Sequence, residues 1–230
     1  MKIGIIGSGS IGGTLARRFR ALGHDVSVAN SRGPQSLSAL AAETGARPVA
    51  VKEAARSADI VIVTIPEIAV AKLPKDLFAG LGDNVVVVDT CNYYPRERDG
   101  RIADIEAGLT ESEWVAKEIR RPVVKAFNTI WWKHLMESGK PKGAKGRIAL
   151  PVAGDGAGKS LVMDLVEALG FDAVDAGPLN QSWRQQPGTP VYGADLDADG
   201  TRQALGRASP ERDPKFRATD KSPGSFETPA

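Results

Sequence analysis

Lys2-Ile3-Gly4-Ile5-Ile6-Gly7-Ser8-Gly9-Ser10-Ile11-Gly12-Gly13-Thr14-Leu15-Ala16 decides the fold. The apolar run at residues 3–6 has the length and composition of a buried strand. Gly7, Gly9 and Gly12 follow in the G-x-G-x-x-G spacing. An amphipathic stretch comes next, with Leu15, Phe19 and Leu22 on one helical face. Gly7 permits a sharp turn out of the strand, Gly9 lets backbone approach a pyrophosphate, and Gly12 lets the helix pack closely on the strand. A second strand candidate at residues 25–29 supplies the strand–turn–helix–strand context that a glycine triplet needs before it means a dinucleotide site. The phosphates would lie at a helix amino terminus, where free N–H groups and the helix dipole favour negative charge.

The second strand runs into Asn30-Ser31-Arg32-Gly33-Pro34. An NAD site usually carries a carboxylate here for the ribose 2′-hydroxyl. Here a hydroxyl and a guanidinium stand instead, which suit a 2′-phosphate, so the residues favour NADP. A polar surface loop would have a similar composition. Residues 34–43 read as a helix and 48–51 as a short strand. Residues 57–66 form a strand apolar enough to be covered on both faces of a parallel sheet, and 84–89 form the next. Further strands are expected at 122–126, 147–153 and 171–174, with helices at 110–120, 159–169 and around 197–205. The predicted architecture is therefore α/β, a doubly wound, mostly parallel sheet of the Rossmann type with about eight strands and a short irregular C-terminal extension. Residues 1–179 make the nucleotide-binding domain, 180–207 a small substrate-side segment, and 208–230 a polar, proline-broken tail expected to be disordered. Residues 96–108 read as an exposed charged loop.

Three segments fall at carboxyl strand ends, the edge that binds ligands in open α/β sheets. They are Thr64-Ile65-Pro66, Asp89-Thr90-Cys91-Asn92 and Phe127-Asn128-Thr129-Ile130-Trp131-Trp132. Asn92 offers a polar group to a nicotinamide or substrate. Asn128 offers an amide that could orient a carboxamide or ring carbonyl. Trp131 and Trp132 supply either a flat apolar wall or packing between helix and sheet. Cys91 is as well explained by a small buried side chain as by chemistry.

The chain has 30 basic and 28 acidic side chains among its 230 residues. That balance gives no electrostatic case for nucleic acid or for a membrane surface. The apolar runs are strand-sized, no leader segment is visible, and the single cysteine fits a reducing compartment, so a cytoplasmic location is expected. Ala153-Gly154-Asp155-Gly156-Ala157-Gly158-Lys159-Ser160 nearly matches a P-loop, and Asp89 would be its acidic partner. It comes late, however, after a complete dinucleotide unit. His24 and His134 read as surface or packing residues, and no metal-ligand spacing occurs.

The ordered set of motifs resembles the NADP-dependent oxidoreductases typified by 8-hydroxy-5-deazaflavin (coenzyme F420):NADP oxidoreductase. It comprises Ile5-Ile6-Gly7-Ser8-Gly9-Ser10-Ile11-Gly12, Asn30-Ser31-Arg32, Thr64-Ile65-Pro66, Val124-Lys125-Ala126-Phe127-Asn128-Thr129, Val152-Ala153-Gly154-Asp155 and Asp175-Ala176-Gly177-Pro178-Leu179. The resemblance implies that Ser8, Ser10 and Ile11 run along NADP(H) with the glycines. It implies that Ser31 and Arg32 hold the 2′-phosphate and that Thr64, Ile65 and Pro66 line the dinucleotide. Phe127 and its neighbours to Ile130 would lie near the nicotinamide and an F420 or flavin co-substrate, in a homodimer. The chain differs from the archetype at Gly33-Pro34-Gln35, where further basic residues stand in the family, and at Asn128, where the archetype has a histidine. The expected activity is hydride transfer between NADP(H) and a small-molecule redox acceptor. Other readings are a non-catalytic NADP(H) sensor, or a reductase of a small carbonyl or imine; such reductases usually carry a long helical second domain, for which the stretch after Leu179 reads as too short and polar.

Overall fold

The computed structural model describes residues 1–230. It places six strands in one parallel sheet in the order β3-β2-β1-β4-β5-β6. They are β1 (Lys2–Ile6), β2 (Asp25–Ala29), β3 (Arg47–Pro48), β4 (Ile60–Val63), β5 (Val86–Asp89) and β6 (Val124–Lys125). Between them run α1 (Ser10–Ala21), α2 (Ser38–Thr44), α3 (Val51–Arg56), α4 (Ala103–Glu106) and α5 (Glu111–Ile119). After β6 come α6 (Trp132–Glu137), β7 (Ala149–Val152), α7 (Gly156–Ala168), β8 (Asp172–Asp175) and α8 (Ala198–Arg207).

Strand alternation divides the core between the two faces of the sheet. Ile3, Ile5, Val28, Ile60 and Ile62 join one buried cluster, which includes Leu15 and Phe19 of α1. Ile6, Ala29, Val61 and Val63 join the other, with Ala54 and Ala55 of α3 and Trp114 and Val115 of α5. A fully buried aliphatic side chain contributes about 1.5–3 kcal/mol, which is why the β-branched run of β4 occupies the middle of the sheet. The Thr110 hydroxyl and the Glu113 carboxylate cap the start of α5 reciprocally, as the sequence predicts.

The expectation of about eight strands in one sheet is corrected to six. β7 and β8 exist, but they pair with each other in parallel as a separate two-stranded sheet. Their link to the main sheet is one antiparallel bridge, in which the Lys125 amide donates to the Ala153 carbonyl at 2.7 Å and the Ala153 amide donates back at 3.0 Å. Hydrophobic patterning marks a strand without marking its direction, so the sequence did not reveal this break. Residues 96–108 are not an exposed loop. They form a wide turn over Pro95–Asp99 followed by α4, and Asp99, Ile102 and Ile105 are buried. The tail, expected to lack order, follows a defined path. Arg212 reaches the buried Glu111 at 2.9 Å, and the amides of Gly224 and Ala230 donate to the Arg96 carbonyl. No helix is long and apolar enough to cross a membrane.

A cluster of charged groups lies inside the carboxyl edge of the main sheet. Lys125 and Asp89 are fully buried and 3.1 Å apart. Burial alone would lower the Lys125 pKa, but the Asp89 carboxylate beside the ammonium holds it above the usual lysine value. Glu67 is buried too, and neither of its carboxylate oxygens has a hydrogen-bond partner. Burial, reinforced by the nearby Asp89 charge, pushes its pKa well up, so the fold keeps it protonated. Above its ordinary value of 4.5 the unfolded chain ionises Glu67 while the folded chain does not. This group's contribution is therefore intact at low pH and is lost as pH rises toward the folded pKa. Glu67→Gln is expected to match wild type in urea denaturation near about pH 4 and to exceed it near about pH 8. A pH-independent difference would show that Glu67 is not held neutral.

Candidate dinucleotide and acceptor clefts

β1 ends in a turn that fills completely. Gly7 has φ +118°, and a Cβ there would fall 2.0 Å from the Thr64 carbonyl oxygen. A Cβ on Gly12 would fall 2.0 Å from the Gly7 carbonyl oxygen. At Gly9 the opposite holds, since a Cβ would meet nothing within 4 Å. The first two glycines close the fold, and the third leaves open space in front of α1. The amino terminus of α1 has no side-chain cap, so its first N–H groups remain available.

Asn30 ties the far side of this turn together. Its Nδ2 donates to Ser8 Oγ at 3.1 Å and to Ser36 Oγ at 2.9 Å, and its Oδ1 accepts from the Arg32 amide at 2.9 Å. Arg32 is exposed and makes no ion pair within the chain. Ser8, Gly9, Ser10, Arg32, Ser36 and Trp132 contribute to a cleft of about 590 Å³, which also takes in Arg17 and Glu43. Arg17 Nε and Nη2 each meet a Glu43 oxygen at 2.6 Å, so that pair is internally neutral. Arg17 and Ser36 went unnoticed in the sequence. Arg17 is spaced as an ordinary exposed helix residue, and Ser36 falls in the first turn of the stretch 34–43 read as a plain helix, where a serine carries no motif.

A second cleft of about 340 Å³ lies at the ends of β5 and β6. Ile11, Asn92, Phe127, Asn128, Trp131 and Tyr192 are among its walls, and Trp132 lines both clefts. Trp131 is 50% exposed and Trp132 37%, so neither packs into the core. Phe127 has φ +62°, sparsely populated for a residue with a Cβ. It turns the chain away from the sheet and sets the next residues in the cleft wall. The Asn128 amide does not face the cleft with free donors, because its Nδ2 donates to Asn92 Oδ1 at 3.1 Å and to the Gln185 carbonyl at 2.7 Å. Gln185 Nε2 donates back to Asn128 Oδ1 at 3.0 Å, and Asn92 Nδ2 donates to the Asn128 carbonyl. Asn128 thus fixes the cleft wall, and Gln185 is the partner that the sequence concealed.

The other predicted positions separate clearly. Ser31 is exposed, and neither it nor Thr64, Ile65 and Pro66 lines either cleft; Thr64 and Ile65 lie against Gly7. Cys91 is buried, and burial pushes its thiol pKa well up, against a nucleophilic role. His134 is occupied by Asp195. The P-loop lookalike is no phosphate cradle: Lys159 Nζ is held by Asp175 at 2.8 Å, and Asp89 is sealed against Lys125. A larger hollow of about 710 Å³ lies by Val85, Val86, Val123 and Asp155, at the amino-terminal edge of β5 and β6, away from the glycine turn.

A family model described as NADP oxidoreductase coenzyme F420-dependent matches residues 2–93. The Escherichia coli K12 protein YjhV is 42% identical over 80 residues, which cover 34% of this chain and 51% of YjhV; the match thus spans about half the length of that curated relative. The crystal structure of the hypothetical protein SMa0349 from Sinorhizobium meliloti is 32% identical, with a TM-score of 0.71, covering 85% of this chain and 94% of that one. A structure from Arthrobacter sp. FB24, described as an F420-dependent NADP reductase, shares the fold at 23% identity and a TM-score of 0.65, covering 79% and 87%.

The glycine geometry separates binding from folding. Gly9→Ala is expected to leave the melting temperature near that of wild type and to weaken dinucleotide binding at least about tenfold, ~1.4 kcal/mol. Gly12→Ala is expected to destabilise the fold, since its Cβ would meet backbone. Calorimetry beside a fluorescence titration checks both; a Gly9→Ala protein with wild-type affinity would remove the phosphates from this turn.

Proposed function

The chain belongs to the family of coenzyme F420-dependent NADP oxidoreductases, and from that membership we propose that it transfers a hydride between NADP(H) and a flavin-like or deazaflavin acceptor seated in the aromatic cleft. The carrying observation is that two clefts of different chemistry meet at one side chain, Trp132. One has open space over Gly9, an uncapped helix start and an unpaired Arg32. The other is walled by Ile11, Phe127, Trp131 and amides already bonded to one another.

The residues present fit the cofactor. The amides at the start of α1 would hold the pyrophosphate, with Ser8 and Ser10 beside it. Arg32, with Ser36 and Ser31 near it, would hold a 2′-phosphate, and Asn30 holds the Arg32 backbone in place. Ile11 and Phe127 would flank the nicotinamide. When bound, NADP(H) supplies the two-electron hydride chemistry, so the protein's work is orientation. Trp131, Trp132 and the Asn92–Asn128–Gln185 amides would hold a flat ring with reacting carbons about 3–3.5 Å apart and keep water out. The open aromatic cleft favours turnover over a purely sensing role, which would not need a second pocket.

Titration with NADPH and NADH, followed by reduction of a deazaflavin, FMN, FAD and a carbonyl panel, tests this reading. Wild type is expected to prefer NADPH and to reduce a ring acceptor. Arg32→Ala is expected to weaken NADPH about tenfold or more and NADH much less, because a guanidinium–phosphate contact is charge-assisted. Equal losses for both cofactors refute the role of Arg32, and no reduction of any acceptor refutes the activity.

A further inference from the structure

The acceptor cleft contains one pair of titratable side chains. Tyr94 comes from the turn after β5 and Tyr192 from the irregular stretch before α8, 98 residues later, and their hydroxyls are hydrogen-bonded to each other in the cleft wall. The other polar groups of the lining are poor proton donors. Asn92 and Asn128 spend their amides on each other and on Gln185, and the Thr90 hydroxyl donates to the Val63 carbonyl. Thr129 is an alcohol, far too weak an acid to titrate in water. Tyr94 is also held firmly. Its ring packs against Phe216 and Phe226 of the tail at centroid distances of 6.4 and 5.6 Å, and the Arg98 guanidinium lies 5.2 Å from the ring centroid.

We propose that Tyr94 is the proton donor of the reaction, giving its phenolic proton to the oxygen or nitrogen of the acceptor while Tyr192 donates the hydrogen bond that steadies the resulting phenolate. This rests on the hydride-transfer reading and narrows its acceptor to a conjugated C=O or C=N system, flavin-like rings included. The acceptor's π bond opens as its electrophilic atom, carbon in a carbonyl, imine or deazaflavin and N5 in a flavin, receives a hydride with its electron pair from NADPH. The electron pair released onto the heteroatom forms a bond to the Tyr94 proton. The acceptor is thereby reduced by two electrons, NADPH becomes NADP⁺, and a proton from water restores the phenol.

Burial pushes both phenol pKa values up. For Tyr94 the hydrogen bond to Tyr192 works against that rise and so favours its phenolate form. Glu111 acts against ionisation of both and Arg98 in favour, while Glu97 opposes ionisation of Tyr94. The ring contacts that hold Tyr94 and the partner hydroxyl that supports it make it the donor assigned here.

Tyr94→Phe and Tyr192→Phe test the assignment without loss of ring volume. Tyr94→Phe is expected to lower kcat more than Tyr192→Phe does; the reverse order would give the proton to Tyr192 and overturn the assignment. NADPH affinity is expected to stay within about twofold of wild type, and kcat of Tyr94→Phe to fall roughly 10²-fold, the lower end for loss of a general acid. Small buffer acids such as imidazolium should restore part of that kcat and leave wild type unaffected, which a merely structural defect would not do. Lost NADPH affinity, wild-type kcat or absence of rescue in Tyr94→Phe would each overturn the assignment. A wild-type protein active on ring acceptors with Tyr94→Phe equally active sinks this inference alone; a wild-type protein inactive on every acceptor sinks the hydride-transfer reading beneath it.

Discussion

The buried contact between Lys125 and Asp89 carries the aromatic-cleft side of the molecule. β6 is two residues long and pairs with β5 through only Val88–Val124 and Asp89–Lys125. So short a ladder leaves the edge of the sheet weakly specified. The ion pair adds what the ladder lacks. Asp89 Oδ1 accepts from the Cys91 amide at 2.8 Å, while Oδ2 accepts from Ser112 Oγ at 2.7 Å and from Lys125 Nζ at 3.1 Å. Lys125 Nζ also donates to the Cys91 carbonyl at 2.5 Å. Two strand ends, the turn between them and the first turn of α5 thus share one charge pair. Removing one partner of such a pair typically costs about 3–5 kcal/mol, because the other is left as an uncompensated buried charge.

From this pair outward the wall of the acceptor cleft is a chain of consequences. Fixing Cys91 fixes Asn92, whose Nδ2 reaches the Asn128 carbonyl. Asn128 is delivered by the positive-φ turn at Phe127, a conformation that costs on the order of 1–3 kcal/mol and persists only where its surroundings enforce it. Gln185 closes the set from the C-terminal segment and also donates to the Pro151 carbonyl of β7 at 3.3 Å. The two-stranded sheet, though separate, therefore helps to hold the cleft. The tail adds a further layer, with Arg212 lying 5.3 Å from the Tyr93 ring centroid and bonded to Glu111 behind Tyr94.

The glycine-turn half was largely legible in the sequence because it depends on local chemistry. Gly7 and Gly12 are dictated by atoms a few residues away or on the neighbouring strand, and β4 announces itself as four buried β-branched residues. The acceptor half was only partly legible. Asn92, Phe127 and Asn128 could be placed at strand ends, but the partner of Asn128 is 57 residues away and the partner of Tyr94 is 98 away. No periodicity encodes such meetings. The same reason hides the ordering of the tail, since its anchors are single residues, Arg212, Phe216 and Phe226, in a composition that otherwise reads as unstructured. The direction of β7 depends on how the chain leaves β6, which is a tertiary matter.

The two clefts also divide the electrostatic work. Charged side chains line the cleft over Gly9, where Arg32 stands free and Arg17 cancels Glu43. The aromatic cleft has no charged side chain in its lining. Behind that lining the buried carboxylates are compensated: Asp89 is paired with Lys125, Glu111 with Arg212, and burial pushes the Glu67 pKa well up. On the proposed reading the binding energy of an anionic cofactor is drawn from one end, and the reacting rings meet at the other, where the fixed charges stand behind the lining: Arg98 favours ionisation of Tyr94 and Glu111 opposes it. The wall of the cleft then governs which acceptors can reach the reacting position.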